Sequence, residues 1–142
     1  MPGSPVIPGL RYADAPAAIS FLQDAFGFEL QACHSDEADP HIIHHAQLLF
    51  GNGMIMLGSA RYGEAESLYS WTTPRDLGGV TTCIYVVVPD ADEHCLHARN
   101  QGAVVVNEPH DNQGYPGRGY EALDPEGNLW SFGTYDPWSP AV

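Results

Sequence analysis

The sequence predicts an α+β domain with mixed sheets: two tandem βαβββ modules that together form a cup-shaped sheet. Two observations carry this prediction. The first is an internal repeat. Val6 to Tyr12 leads to Asp14, a helical stretch and Gly27; Thr81 to Val88 leads in the same way to Asp90, a helical stretch and Gly102. The matched aspartates stand 76 residues apart and the matched glycines 75. The second is that strand-like runs separated by turn residues follow each helical stretch, so both halves read β-α-β-β-β. A chain of 142 residues has the size of one domain. It divides into a first module over 6–59, a linker over 60–79 and a second module over 80–136.

Each helix carries its own start and stop. Asp14 is placed to cap the first, with Pro16 in the opening turn, where a missing N–H does no harm. Ala18, Ile19, Leu22, Ala25 and Phe26 recur at helical spacing and make one apolar face. Gly27 stands where a left-handed residue ends a helix. In the second module Asp90-Ala91-Asp92-Glu93 is a capping-box pattern, and Gly102 closes the helix. Strands are expected over 29–34 and 103–107, directly after the helices. Those over 44–50 and 54–58 flank Gly51-Asn52-Gly53, a tight hairpin signal. Those over 119–123 and 129–135 flank the turn cluster Asp124-Pro125-Glu126-Gly127-Asn128. Ala60 to Gly79, with Trp71, Pro74 and Gly78-Gly79, reads as the connection between modules. One helix covers one face of a sheet, so the other face must meet a second sheet, a partner chain or a ligand. Two modules placed edge to edge, or exchanged between chains, would enclose a concave cup.

Composition narrows the function. Apolar residues make up 44% of the chain, enough for one core. No apolar run approaches the roughly 18 residues of a membrane span, and Met1 to Leu10 has three prolines and no basic residue, unlike a secretory signal. A cytoplasmic protein is expected. Cys33, Cys83 and Cys95 are odd in number and lack CxxC spacing, which argues for free thiols rather than a disulfide framework or zinc knuckle. Five Lys and Arg face 18 Asp and Glu, a net charge of −13. Such a surface repels phosphate backbones, so nucleic acid is excluded as a partner. The charge serves solubility or draws a cationic ligand.

Several runs resemble one family. Gly9 to Ala18 is similar to the opening of many glyoxalase/bleomycin-resistance proteins of the vicinal oxygen chelate superfamily. His45-Ala46-Gln47-Leu48 and Phe50 to Gly58 resemble the family's third and fourth strands. The tail Gly117-Arg118-Gly119-Tyr120 with Asp124 to Tyr135 is the most specific match. The resemblance spans roughly Val6 to Trp138 and implies paired modules, a homodimer and a ligand cup on the concave face. Members that use a metal place His, Gln or Glu at four strand positions, which fall here near Ile7, Met56, Cys83 and Ser131. An alkyl group, a thioether, a thiol and a hydroxyl make a poor site for a divalent cation, and Thr82 in place of Cys83 is no better. Neither a metal nor another cofactor is therefore expected, which argues against glyoxalase I or extradiol dioxygenase chemistry.

The candidate ligand-binding residues are His45, Gln47, Met54, Met56, Trp71, Cys83, Tyr115, Arg118, Tyr120 and Ser131. His41, His44 and His45 suggest a metal at first sight, but on a strand 41 and 45 share a side while 44 faces away. Gln47 shares its side with His45 and Leu49 and would give an apolar cup a directional hydrogen bond, or else sit on a solvated edge. Met54 and Met56 share one side of the next strand, as core residues or as a pliable ligand surface. Trp71, Tyr69, Tyr115 and Tyr120 fall in loops or strands, where core packing competes with ligand stacking. Arg118 between two glycines either takes an anionic ligand group or ties its loop to a carboxylate. No nucleophile elbow, dinucleotide fingerprint, phosphate loop or HExxH occurs. The expected function is metal-independent binding of a small molecule, cationic or aromatic and antibiotic-like, as in resistance proteins. The alternatives are a lyase, isomerase or dioxygenase with a divergent site, and a regulatory domain whose cup binds a metabolite.

Overall fold

The repeat extends to strand register. In the computed structural model, which describes residues 3–60 and 68–139, β1 (Gly9–Tyr12) runs parallel to β4 (Gly53–Ser59). β4 pairs antiparallel with β3 (Ile43–Phe50), and β3 antiparallel with β2 (Glu29–Ser35). The second sheet repeats this order and these directions with β5 (Cys83–Val87), β8 (Leu129–Gly133), β7 (Arg118–Leu123) and β6 (Val104–Asp111). Even a defect recurs. Register slips between Leu30 and Ala32 in β2 and between Val105 and Asn107 in β6, equivalent places in the two modules.

The caps behave as expected. The Asp14 carboxylate accepts from the Ala17 amide at 3.1 Å above α1 (Ala15–Phe21). The Asp90 carboxylate accepts from the Glu93 amide at 3.0 Å above α3 (Ala91–Asn100). A single turn, α2 (Pro74–Leu77), occupies the late part of the linker; the linker's residues 61–67 lie outside the described set.

Strand ends shift by up to two residues, β8 stopping at Gly133 rather than Tyr135, and three larger details depart from expectation. The first helix is not regular to its end: Leu22–Phe26 is a π-helical turn that stops at Gly27, whose φ is 89°. The wider turn lets Leu22, Ala25 and Phe26 all be fully buried. β1 begins at Gly9 rather than Val6, since the proline at 8 offers no donor, although its carbonyl still accepts from the Met56 amide at 2.9 Å. β6 continues past Asn107 to Asp111 despite Pro109, which an edge strand tolerates because one side of it is unpaired.

One face of each sheet carries the helices, and these faces share a single core. Phe26 is the keystone, its ring centroid 4.7 Å from Phe132 and 5.4 Å from Trp130 of the other module. The turn cluster Asp124–Asn128 staples the modules together. Asp124, 4% exposed, accepts from the Tyr12 hydroxyl at 2.8 Å and from Trp130 Nε1 at 3.1 Å. The Glu126 carboxylate accepts from the Ala13 and Asp14 amides at 2.6 and 2.8 Å, at the threshold of α1. Among the described residues no helix lies across the other face of either sheet.

Candidate functional site

The open faces follow from strand alternation. In the first sheet Tyr12, Ala46, Leu48, Ile55 and Leu57 are buried toward the helices. Arg11, His45, Gln47, Met54 and Met56, of the opposite parity, are half-buried on the open side. A hydrogen-bonded row crosses it: His45 Nε2 meets Gln47 Oε1 at 2.8 Å, and Gln47 Nε2 donates to Gln31 Oε1 at 2.8 Å. The His34 and His45 rings stack 6.1 Å apart. In the second sheet the row is built around a charge. Glu121 accepts from Ser131 Oγ at 2.7 Å and from Asn107 Nδ2 at 2.8 Å. Gln47 faces Met56 and Glu121 faces Ser131 in the ladders, so Gln47 and Glu121 are equivalent positions of the repeat.

A cleft of about 600 Å³ opens between the edge strands β1 and β5, under the segment 70–82. Its lining includes Pro8, Gly9, Arg11, Trp71, Thr82 and Cys83. The Arg11 guanidinium lies 4.8 Å from the centre of the Trp71 ring. Cys83 is exposed at the residue level, but partial desolvation of its thiol raises the pKa, and the nearby Glu121 charge adds to the effect. A smaller cleft of about 310 Å³ lies on the helix side, between Phe26, Phe50, His94 and His97.

The fold therefore sorts the candidate residues. Trp71 and Cys83 line the large cleft. His45, Gln47, Met54 and Met56 share the open face of the first sheet, and Ser131 that of the second. Tyr120 does not join them: it points to the helix side, is fully buried and hydrogen-bonds His94 Nδ1 at 2.6 Å. Its even-numbered strand parity with Ala122 signalled this. Tyr115 packs edge-on against Tyr135, 5.1 Å away. Arg118 forms a two-pronged ion pair with Asp92, at 2.7 and 3.0 Å, and a further contact with Asp111. Of its two expected roles, this geometry describes the structural tie. His41 and His44 pair instead with Asp14 and Asp36. The sequence reading missed Arg11 and Glu121. The scarcity of basic residues was a usable signal for the first; Glu121 had only its strand parity.

The residues at the positions where the resemblance would put metal ligands do not fit a divalent cation. Met56 and Ser131 do stand at matching central places on the two open faces, and Cys83 on the edge of the second. Their donors are a thioether, a hydroxyl already donating to Glu121 and a single thiol. Among the described residues no three His, Cys, Asp or Glu side chains converge as a metal site requires.

Fold and site together define a two-module protein with open sheet faces and a cleft where the modules' edge strands approach. The chain belongs to the Glyoxalase/Bleomycin resistance protein/Dioxygenase superfamily, whose model matches residues 6–132. Among solved structures it is similar to TioX from Micromonospora sp. ML1, with 27% identity, a TM-score of 0.69, and 96% of this chain and 100% of that one covered. A glyoxalase/bleomycin resistance protein/dioxygenase family enzyme from Burkholderia phytofirmans PsJN shares its fold at 23% identity and a TM-score of 0.61, over 90% and 94% of the two chains. Glyoxalase I from Zea mays does so at 18% identity and a TM-score of 0.65, over 89% of this chain and 43% of that one. No curated protein matches the chain.

Proposed function

We propose that this chain is a metal-independent small-molecule-binding protein that takes an aromatic compound into the cleft between β1 and β5. The observation that carries the reading is the cleft itself, with Trp71 and Arg11 in its wall; the positions where the family resemblance would put metal ligands, near Ile7, Met56, Cys83 and Ser131, support it by their chemistry. A volume of about 600 Å³ suits a drug-sized ligand. Glu121, fixed by two donors on the second sheet, and the net charge of −13 favour a positive group elsewhere on the same ligand. Antibiotic sequestration is one role that fits.

The reading includes a homodimer. Tyr85, Val87 and Val104 leave apolar surface exposed on the open side of the second sheet, and a second copy would cover it. Among the described residues no helix is long and apolar enough to cross a membrane. Free thiols at Cys33 and Cys83, both exposed, suit a reducing compartment, so the cytoplasm belongs to the proposal.

The test is metal analysis of the purified protein, followed by calorimetric titration with planar aromatic and cationic aromatic compounds, bleomycin among them. Stoichiometric binding by metal-free protein is expected. Stoichiometric zinc, nickel or iron accompanied by glyoxalase turnover would refute the reading. The second reading is a lyase, isomerase or dioxygenase in which Glu121, oriented by Ser131 and Asn107, acts as a base. A nucleophilic role for Cys83 is disfavoured by its raised pKa: alkylation at pH 7 should run slower than for a free thiol, and faster alkylation would favour the enzyme.

A further inference from the structure

Arg11 stands apart from the chain's other described basic residues. Arg118 is held by Asp92 and Asp111, Arg99 by Glu108, and Arg75 donates to the Pro125 carbonyl. Arg11 pairs with none of the 16 acidic side chains that the structure describes, Glu64 and Glu66 of the 18 in the chain lying outside the described residues. Among the described residues its one hydrogen bond is a 3.5 Å contact from Nη1 to the Ser59 carbonyl. The remaining guanidinium donors are left over, in the wall of the cleft, with the plane steadied by Trp71.

The fold makes room for this placement. Gly58 faces Arg11 across the β1–β4 ladder, and its backbone is not in the left-handed region. A Cβ there would lie 2.6 Å from Arg11 Nη1, 3.1 Å from the His44 carbonyl oxygen and 3.3 Å from that of Ile43. Space over this residue is thus what a side chain would remove. The equivalent position of the second module is Gly133, where a Cβ would lie 2.5 Å from the Tyr85 hydroxyl. Each module therefore clears a place in its last strand for one long side chain from its edge strand. In the first module that side chain is a cation.

We infer that the cleft selects ligands carrying a carboxylate, which Arg11 binds through its free N–H edge. A guanidinium matches a carboxylate in a two-pronged geometry that a lysine cannot reproduce. The ring of the ligand lies against Pro8, Leu77 and Val80, and Thr72, Thr81 and Thr82, which also line the cleft, offer neutral hydrogen bonds. The acidic surface as a whole repels anions, but over a Debye length of about 8 Å at physiological salt this field is screened, and the contact pair decides. The inference rests on the reading of the cleft as a small-molecule site.

The experiment compares 2-naphthoate with 2-naphthamide, its neutral analogue of the same shape, by calorimetric titration of the full chain. The acid is expected to bind at least about 10-fold more tightly, Arg11→Gln to bring the ratio to about 1, and Arg11→Lys to keep part of it. Equal binding of acid and amide by the unaltered protein overturns the carboxylate assignment and leaves the small-molecule reading standing. Binding of neither compound overturns both. A preference for the acid that persists in Arg11→Gln, with its circular dichroism unchanged, assigns the recognition elsewhere and also overturns the inference. The comparison in the unaltered protein keeps the test decisive if the variants do not fold.

Discussion

Asp124 shows how much one buried carboxylate can organise. It accepts from Tyr12, Trp130 and Asn128 side chains and from the Glu126 and Asn128 amides, so its charge is balanced by donors from both modules. Burial, and then the Asp124 charge, keeps the Tyr12 phenol protonated far above its ordinary range. Removing the carboxylate leaves those donors buried and unpaired, each costing about 1–3 kcal/mol. Asp124→Ala is accordingly expected to lose about 3 kcal/mol or more of unfolding free energy in urea titration. A loss below about 1 kcal/mol would show that the staple contributes little.

At the scale of elements, the seam between α3 and the π-helical turn holds the modules in register. His94 Nε2 donates to the Phe26 carbonyl at 2.9 Å, which leaves Nδ1 to accept from the Tyr120 hydroxyl at 2.6 Å. His97 Nε2 donates to the Asp24 carbonyl at 2.7 Å. Burial holds the His94 pKa below its ordinary 6.5, and the neighbouring His97 pushes the same way. The folded chain thus resists a proton that the unfolded chain accepts. Stability contributed by this group is full above about pH 6.5 and is lost as pH falls from there through the lower folded value. Melting curves from pH 7.5 to 5 should show that decline, with a shallower slope in His94→Gln; an unchanged slope would remove His94 as its source. Asp90 and Glu93 line the same small cleft. In the same seam Phe26→Ala empties a fully buried ring site and should cost about 3–5 kcal/mol, measured by chemical denaturation.

At the scale of the molecule, the helix-bearing faces meet within one chain while the open faces do not cover each other. A partner is the simplest way to close them. Light scattering should report a mass of two chains, and Val87→Glu, which sets a charge on the open side of β5, should return the single-chain mass without loss of helix or strand signal. A monomeric unaltered protein would remove the dimer from the proposal.

The sequence by itself determined the two modules, their caps and the parity of their strands, because helix caps, glycine stops and period-two alternation act over a few residues. Tertiary structure alone decided what lies beside what across a hundred residues: Asp124 under Tyr12, Glu126 at the start of α1, and Phe26 between Trp130 and Phe132. It also decided which side of a strand a residue serves, moving Tyr120 into the core and Arg11 into the cleft. Such contacts depend on how two sheets pack, and local patterns along a chain hold no record of that distance.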